Sequence, residues 1–312
     1  MILTAGLSPA WQHTLEFDVL AKGEVNRART SVWSAAGKVV NAARVVHRLA
    51  LHAGDGPQGC AFTLLGGPTG GRMREALAAE GLDVEAVPAA ADTRVCTTVI
   101  GRADGSVTEL VEDAPPLSGD ELRAFLVRFR TFAGGAAAIL LTGSLPTGTP
   151  PDYARSLLEG LTAPLLLDIR GPELLAVLPL RPLLAKPNRE ELSRTVGRPL
   201  PDEAALRRAM RELAELGARW VLVTQGREPV WLLGEGRYYR IRPPAVEALN
   251  PIGSGDCLAG AMAWAIARGR SPLEAARLGV AAAAVNVTTL LPGQIDPAAV
   301  ERTLAAVRVE AA

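Results

Sequence analysis

Cysteine and lysine are both scarce in this chain of 312 residues. The three cysteines, Cys60, Cys96 and Cys257, lie far apart, with no CxxC pair and no histidine cluster nearby. That argues against a zinc site or a disulfide framework and reads as buried thiols in a reducing compartment. No apolar run approaches the ~18 residues a membrane span needs, and "MILTAGLSPAWQ" lacks the basic and apolar regions of a secretory signal. A cytoplasmic protein is expected. Neither sign of charge is in excess: 33 basic and 33 acidic residues cancel. No bulk field then draws nucleic acid or an anionic membrane, neither is expected as a partner, and any anion site must be local.

The basic residues are 30 arginines and three lysines, Lys22, Lys38 and Lys186. Codon bias replaces lysine with arginine wherever a compact ammonium is not needed, and arginine cannot mimic one at a site shaped around it. Lys38 and Lys186 both fall inside motif-like stretches. His13, His47 and His52 have no ligand spacing and read as surface or lid residues. The tryptophans read as packing, except Trp11 at the mouth of the first strand.

With 48% apolar residues the chain can bury a large core. "MILTAGL" reads as a strand, "GKVVNAARVVHRLALH" as a helix, and "AFTLLGG" followed by "GGRMREALAAEGLD" as a buried strand and a helix closed by Gly81. From "GDELRAFLVRFRTFA" to "RWVLVTQG", helices alternate with buried strands, which implies a parallel sheet covered on both faces. Two stretches break that alternation. Residues 14–34 alternate around Lys22-Gly23, and "TRVCTTVIGRADGSVTELVED" is a hairpin turning at Asp104-Gly105. Segments of about 13–34 and 92–115 are therefore expected as a small lid sheet inserted in one α/β domain spanning 1–312.

In "NPIGSGDCLAG", Gly253 and Gly255 flank Ser254 just before Asp256 and a helix of small residues. Asn250-Pro251 is expected to stop the preceding strand. A glycine loop entering a helix aims free N–H groups at one point, a ready anion site, and the small residues let the helix come close to something. Asp256 at such a junction reads equally as an N-cap. In "LLAKPNREEL", Asn188 and Glu191 follow Lys186; they suit the outer shell of a hydrated magnesium ion, although taken alone the pair reads first as a capping box. "AAGKVVN" sets Lys38 and Asn41 beside Gly37 at a helix entry. "TGSLPTG" exposes Ser144, and "TQGREPV" places Thr224 and Gly226, at carboxyl edges of strands, where open α/β sheets bind ligands. No GxGxxG follows the first strand with an acid about 20 residues on, so a dinucleotide-binding dehydrogenase is not expected.

Taken in order, "GEVNRA", "AGKVVN", "LLGGPTG", "TRVCTTV", "TELVEDAP", "GSLPTGTP", "KPNREEL" and "NPIGSGDCLAG" resemble the PfkB branch of the ribokinase-like carbohydrate kinases, above all the fructose-1-phosphate and tagatose-6-phosphate kinases. The resemblance runs nearly the whole chain. It implies a three-layer α/β/α core with a mostly parallel sheet and a small β-sheet lid, and ATP-dependent phosphorylation of a sugar hydroxyl with Mg2+. It makes Asp256 the general base, with the N–H groups around Gly253, Ser254 and Gly255 stabilising the transferring phosphoryl. On the same basis Asn188 and Glu191 organise the metal through water, Lys186 and Thr224, beside Gly226, meet the nucleotide phosphates, and Asn286 lies near the adenine. On the acceptor side, Lys38, Arg94 and Ser144 surround a phosphate already on the sugar, with Gly37 and Asn41 at its hydroxyls.

The acceptor side departs from the family pattern. The usual Asn-Pro-x-x-Asp reads "SPAWQ", giving Ser8 and Gln12; Ala36 and Val39 stand at glycine positions, and Cys96 at a polar one. A charged acceptor is replaced at Gln12 by a neutral amide that also donates. A ketohexose phosphate is the expected substrate. An unphosphorylated sugar or nucleoside is the alternative enzyme reading, with Lys38 and Arg94 serving the lid. A nucleotide-binding regulatory protein with little catalysis is the reading from another class. The resemblance also implies a homodimer paired through the lid.

Overall fold

The structure, a computed structural model, describes residues 1–56 and 58–312. Its first half holds β1 (Ile2–Ala5), β2 (Ala10–Phe17), β3 (Thr30–Ala36), α1 (Lys38–His52), β4 (Gly59–Gly66), α2 (Gly67–Ala79), β5 (Asp83–Ala89), β6 (Val95–Gly101), β7 (Ser106–Val111), α3 (Gly119–Ala133), β8 (Ala138–Thr142) and α4 (Tyr153–Leu158). The second half adds β9 (Leu165–Asp168), α5 (Gly171–Val177), β10 (Leu184–Ala185), α6 (Arg189–Thr195), α7 (Glu203–Glu215), β11 (Trp220–Gln225), β12 (Glu228–Gly234), β13 (Arg237–Arg242), α8 (Ser254–Ala267), α9 (Pro272–Asn286), α10 (Pro297–Leu304) and β14 (Arg308–Ala311).

Among the described residues the large sheet runs β14-β13-β12-β11-β10-β9-β8-β1-β4-β5. Every pairing from β11 to β5 is parallel. The continuous apolar runs of β1, β4, β8 and β9 follow from burial on both faces. Leu3, Ile139, Leu141 and Leu167 pack under α3, α4, α5 and α7, while Ile2, Ala138, Leu140 and Leu166 pack under α1, α8, α9 and α10. The edge beyond β11 is antiparallel, a ribbon of β12, β13 and β14 that the expected strand-helix alternation did not include. Asn250-Pro251 follows irregular chain rather than a strand, because β13 has already ended at Arg242.

The chain leaves β1 toward β4 on one side and β8 on the other, so the strand order reverses at β1. Such a switch point opens a crevice at the carboxyl ends of the strands. Above it sits the second sheet, in the order β3-β2-β6-β7, built from the two stretches that broke the alternation. Trp11 lies on β2 rather than at the end of β1, and at 9% exposure packs against Val39, Val40 and Met73. His47 is buried on α1, contrary to the expected surface position, because it shares the helix face of Ala43 and Ala50 that turns inward.

Candidate active site

The carboxyl ends of β8, β9 and β10 converge on one corner, and α8 supplies its floor. Gly253 is the N-cap of α8 and takes a left-handed backbone, φ 79°. A side chain at that position would also collide with Pro292, a Cβ lying 2.5 Å from the proline Cβ, so two constraints converge on glycine. Asp256 therefore lies inside the first turn and makes no capping bond, which sets aside its reading as an N-cap. The small-residue tract of α8 serves close packing on neighbouring helices. A Cβ at Gly260 would lie 2.5 Å from the carbonyl oxygen of Ala42 on α1, and one at Gly279 of α9 would lie 2.9 Å from the carbonyl oxygen of Leu258.

Asp256 is 7% exposed, and its Oδ2 accepts a hydrogen bond from Nδ2 of Asn41 at 2.8 Å. Burial pushes its carboxyl up to about 6, and neighbouring Asp168 adds to the rise; Lys38, Asn41 and Lys186 oppose it. The carboxylate is thus poised to accept a proton near neutral pH. The Oδ1 of Asn41 is buried without a partner among the described residues. A buried acceptor left bare is costly, and a ligand hydroxyl placed beside Asp256 satisfies it.

Asp168, at the end of β9, is the hub of the corner. It is 1% exposed, with the ammonium of Lys186 at 2.9 Å, that of Lys38 at 3.4 Å and the hydroxyl of Thr142 at 3.1 Å. Burial works against its charge, but the two ammonium groups and the hydroxyl outweigh it and hold the carboxyl below its usual range. Lys38 is pushed upward in turn: burial opposes its charge, and Asp168, Asp256 and Glu191 overcome that opposition. Lys186 is 3% exposed, and a Cβ added at Gly255 would sit 3.7 Å from its Nζ. A buried ammonium thus lies against the first turn of α8 and adds to the positive field of the helix terminus.

Asn188 and Glu191 form the capping box of α6: Oδ1 of Asn188 accepts from the Glu191 N–H at 2.8 Å, and Glu191 Oε2 from the Asn188 N–H at 2.9 Å. The cap leaves Glu191 Oε1 free to face Lys38 at 3.6 Å and Arg170 at 3.7 Å. Thr224 bridges Asn188 at the end of β11, followed by Gly226 in a left-handed turn, φ 62°. Asn286 is fully buried: its amide donates to the Ile252 carbonyl at 2.9 Å, and its Oδ1 accepts from the Gly293 N–H at 2.9 Å and from the Cys257 thiol. It braces the glycine loop; its place near the adenine rests on the resemblance alone.

The acceptor side is built differently. Gln12 is 3% exposed and donates to Thr98 Oγ1 across β2 and β6 at 2.8 Å, which leaves its carbonyl oxygen to accept from a ligand. Gly37, φ 93°, brings the start of α1 against Pro9, where a Cβ would lie 2.9 Å from the proline Cα. Val39, at a family glycine position, is accommodated by Gly6, whose added Cβ would lie 3.0 Å from that of Val39. Arg94 donates to the carbonyls of Ser8, Pro9 and Glu112 at 3.0, 3.3 and 2.8 Å, so three of its N–H groups brace the chain. Ser144 stays exposed, its carbonyl accepting from Ser8 at 2.6 Å. Lys38, expected on a substrate phosphate beside Arg94 and Ser144, is instead drawn to the buried carboxylates Asp168 and Glu191.

Sequence reading named Lys186, Lys38, Asn41 and Asp256 but passed over Asp168, which joins them. The signal was present in "PLLLDIR", where a carboxylate ends a fully apolar strand.

A glycine-capped helix with a buried carboxylate, at a topological switch point under a second small sheet, defines a small-molecule kinase of the ribokinase-like class. The model of the pfkB family carbohydrate kinases matches residues 9–298, and the chain belongs to that family. Phosphofructokinase-2 from Escherichia coli is similar over 98% of each chain: its potassium complex has a TM-score of 0.88 at 26% identity. Its complex with fructose-6-phosphate gives a TM-score of 0.86 at 27% identity, again over 98% of each chain. A possible 1-phosphofructokinase from Thermotoga maritima covers 100% of this chain and 99% of its own, with a TM-score of 0.89 at 20% identity. Ribokinase from the same organism, at 21% identity and a TM-score of 0.76 over 98% of this chain and 99% of its own, shares the fold. The chain is thus a carbohydrate kinase of a family that uses ATP. Among the described residues no helix is long and apolar enough to cross a membrane.

Proposed function

We propose that this kinase transfers the γ-phosphoryl group of ATP to a hydroxyl of a ketohexose phosphate, with Asp256 as general base. The observation that carries the reading is Asp256 itself, a buried carboxylate in the first turn of α8, raised to about 6 and hydrogen-bonded to Asn41. Asp256 takes the proton of the acceptor hydroxyl as the phosphoryl arrives. The N–H groups of Gly253, Ser254 and Gly255, with Lys186 behind them, stabilise the charge spread over the transferring oxygens without reorganising. Asn41 directs the base through Nδ2 and holds a neighbouring sugar hydroxyl through its bare Oδ1.

Among the described residues no cluster of three His, Cys, Asp or Glu side chains forms a metal cage. Asp168 faces two lysines and Glu191 is half taken by its cap, which suits a hydrated magnesium ion held by the nucleotide phosphates and met here through water. That ion would neutralise the donor phosphates. Asn188, Glu191 and Asp168 would orient its water shell, and Thr224 and Gly226 would line the phosphate path.

A specific observation favours a second reading, an unphosphorylated sugar or nucleoside as acceptor. Lys38 and Arg94 are both engaged within the protein, so neither is a free cation awaiting a phosphate. An ATP-coupled assay across fructose-1-phosphate, tagatose-6-phosphate, fructose-6-phosphate and the free sugars separates the two. Turnover of a ketohexose phosphate at least about tenfold above any free sugar in kcat/KM supports the first, and the reverse order supports the second. Clean ATP binding without turnover of any acceptor sinks both and points to a regulatory protein.

The small sheet acts as the lid in this reading. Trp33 and Leu110, 44% and 58% exposed, end a row across the sheet with His13 and Thr97 between them, and these two apolar side chains suit contact with a second copy of the chain. Sedimentation of Leu110→Lys against wild type tests the homodimer, a dimeric wild type and a monomeric variant being expected.

A further inference from the structure

A buried arginine joins the small sheet to the loop behind Gly253. Arg44 lies on α1, one turn beyond Asn41, and is 2% exposed. Its guanidinium donates to the carbonyl of Ala35 at 2.8 Å, to the carbonyl of Pro292 at 3.1 Å, and to both carboxylate oxygens of Glu80, at 2.9 Å for Oε1. Ala35 belongs to the root of the small sheet, where it pairs with Trp11 beside the pairing of Gln12 with Ser34. Pro292 is the residue that abuts Gly253, and a side chain at the next residue, Gly293, would meet the carbonyl of Asn41 at 3.0 Å and Arg44 Nη1 at 3.4 Å.

Helix α1 thus carries two side chains with related tasks: Asn41 touches the base, and Arg44 touches both the lid root and the wall of the glycine loop. A buried guanidinium is expensive to desolvate, and apolar packing of equal volume often serves stability as well. Its planar fork, however, sets the relative position of two carbonyls in a way that neither packing nor a lysine reproduces. We propose that Arg44 is a positioning residue that holds the root of the small sheet and the loop behind the anion corner in one register, so that a shift of either moves the other. Its consequence for turnover rests on the phosphoryl-transfer reading; the coupling itself does not.

Arg44→Lys keeps the charge and the reach to Glu80 but cannot bridge both carbonyls. Glu80→Gln removes the counter-charge and leaves both carbonyl bonds. Both are expected to lower the melting temperature, whereas Arg44→Lys alone lowers kcat, by between about tenfold and about a hundredfold, with KM values within about threefold. Equal kcat losses in the two variants would reduce Arg44 to a structural role and overturn the proposal. Hydrogen exchange with a non-hydrolysable ATP analogue and magnesium gives a test independent of turnover. The nucleotide is expected to slow amides in both 289–293 and 30–36 of the wild type, and in Arg44→Lys to slow 289–293 alone. A wild type in which 30–36 does not respond refutes the coupling, whether or not the lysine variant folds. Coupled protection without turnover of any sugar sinks the kinase reading and leaves the coupling standing.

Discussion

The transfer corner and the acceptor side solve opposite problems with opposite kinds of residue. At the corner, Asp168, Lys186, Glu191 and Asp256 are nearly excluded from solvent, and each charge is answered by another. Charges in that setting act at close to full strength, and their geometry cannot relax into water. Toward the small sheet, Gln12 is neutral, Arg94 is tied to backbone carbonyls and Ser144 is exposed. In the proposed reading the first region serves phosphoryl transfer and the second serves the acceptor. Substitutions at the corner should therefore change rates and stability by orders of magnitude, and those at the acceptor side should redistribute preference.

The largest effect is expected at Asp256. Asp256→Asn should lower kcat by about a thousandfold, the middle of the range for loss of a general base. It should also stabilise the fold above pH 6. A folded-state pKa raised to about 6 means that the native state holds the proton more tightly than the unfolded chain, so this group's stabilisation is present at low pH and lost as pH rises through 6. The rise to about 6 corresponds to roughly 3 kcal/mol, which the neutral amide avoids. Thermal unfolding at pH 8 and pH 4 should show a gain for the variant at the higher pH alone. A kcat within tenfold of wild type would remove Asp256 from the chemistry.

Next in size is Lys186→Met. It leaves Asp168 charged and buried with Lys38 as its remaining cation, which should cost about 3–5 kcal/mol of stability and most nucleotide affinity. Adding Asp168→Asn should restore most of the melting temperature and none of the activity. If the double variant melts as low as the single, the pair is not the stabilising unit described.

The pH profile separates the two regions more finely. The acid limb of kcat/KM should fall near pH 6 as Asp256 protonates. Lys38 favours the carboxylate, so Lys38→Met should move that limb to higher pH, while Arg94→Gln should leave it in place and alter KM for the acceptor. A limb unmoved by Lys38→Met would return Lys38 to the acceptor phosphate, where the family resemblance puts it.

The corner was the more legible region in the sequence because its parts are backbone devices. Gly253 marks a left-handed cap and Pro187 the end of a short strand, and both can be read from residue type alone. Asp168 was not legible as a partner of Lys186, because proximity across β9 and β10 is set by strand order and not by spacing along the chain. The same holds for Asn286: "AAAVNVTT" announces a polar residue on an alanine face, but not that its amide closes the glycine loop through Ile252 and Gly293. The antiparallel ribbon β12–β14 was missed because Trp231, Leu232 and Leu233 form a continuous apolar run with the same appearance as a parallel core strand. The orientation of Lys38 depends on two carboxylates, Asp168 and Glu191, that only the fold brings within reach.

The smallest expected effect tests the acceptor side directly. Gln12→Asp restores the charged acceptor of the family pattern but removes the amide that donates to Thr98 at 2.8 Å. The carboxylate would then face the Thr98 hydroxyl, which can rotate to donate, so the stability cost should stay near 1 kcal/mol. A carboxylate grips two sugar hydroxyls where one amide oxygen accepts from fewer, so KM for a vicinal diol should fall by about tenfold. Because the corner is untouched, kcat should stay within about threefold and the acid limb should not move. A change in kcat or in the limb would mean that Gln12 acts on the corner through the small sheet and not on the acceptor alone. An unchanged acceptor preference would mean that Gln12 faces the lid and not the sugar.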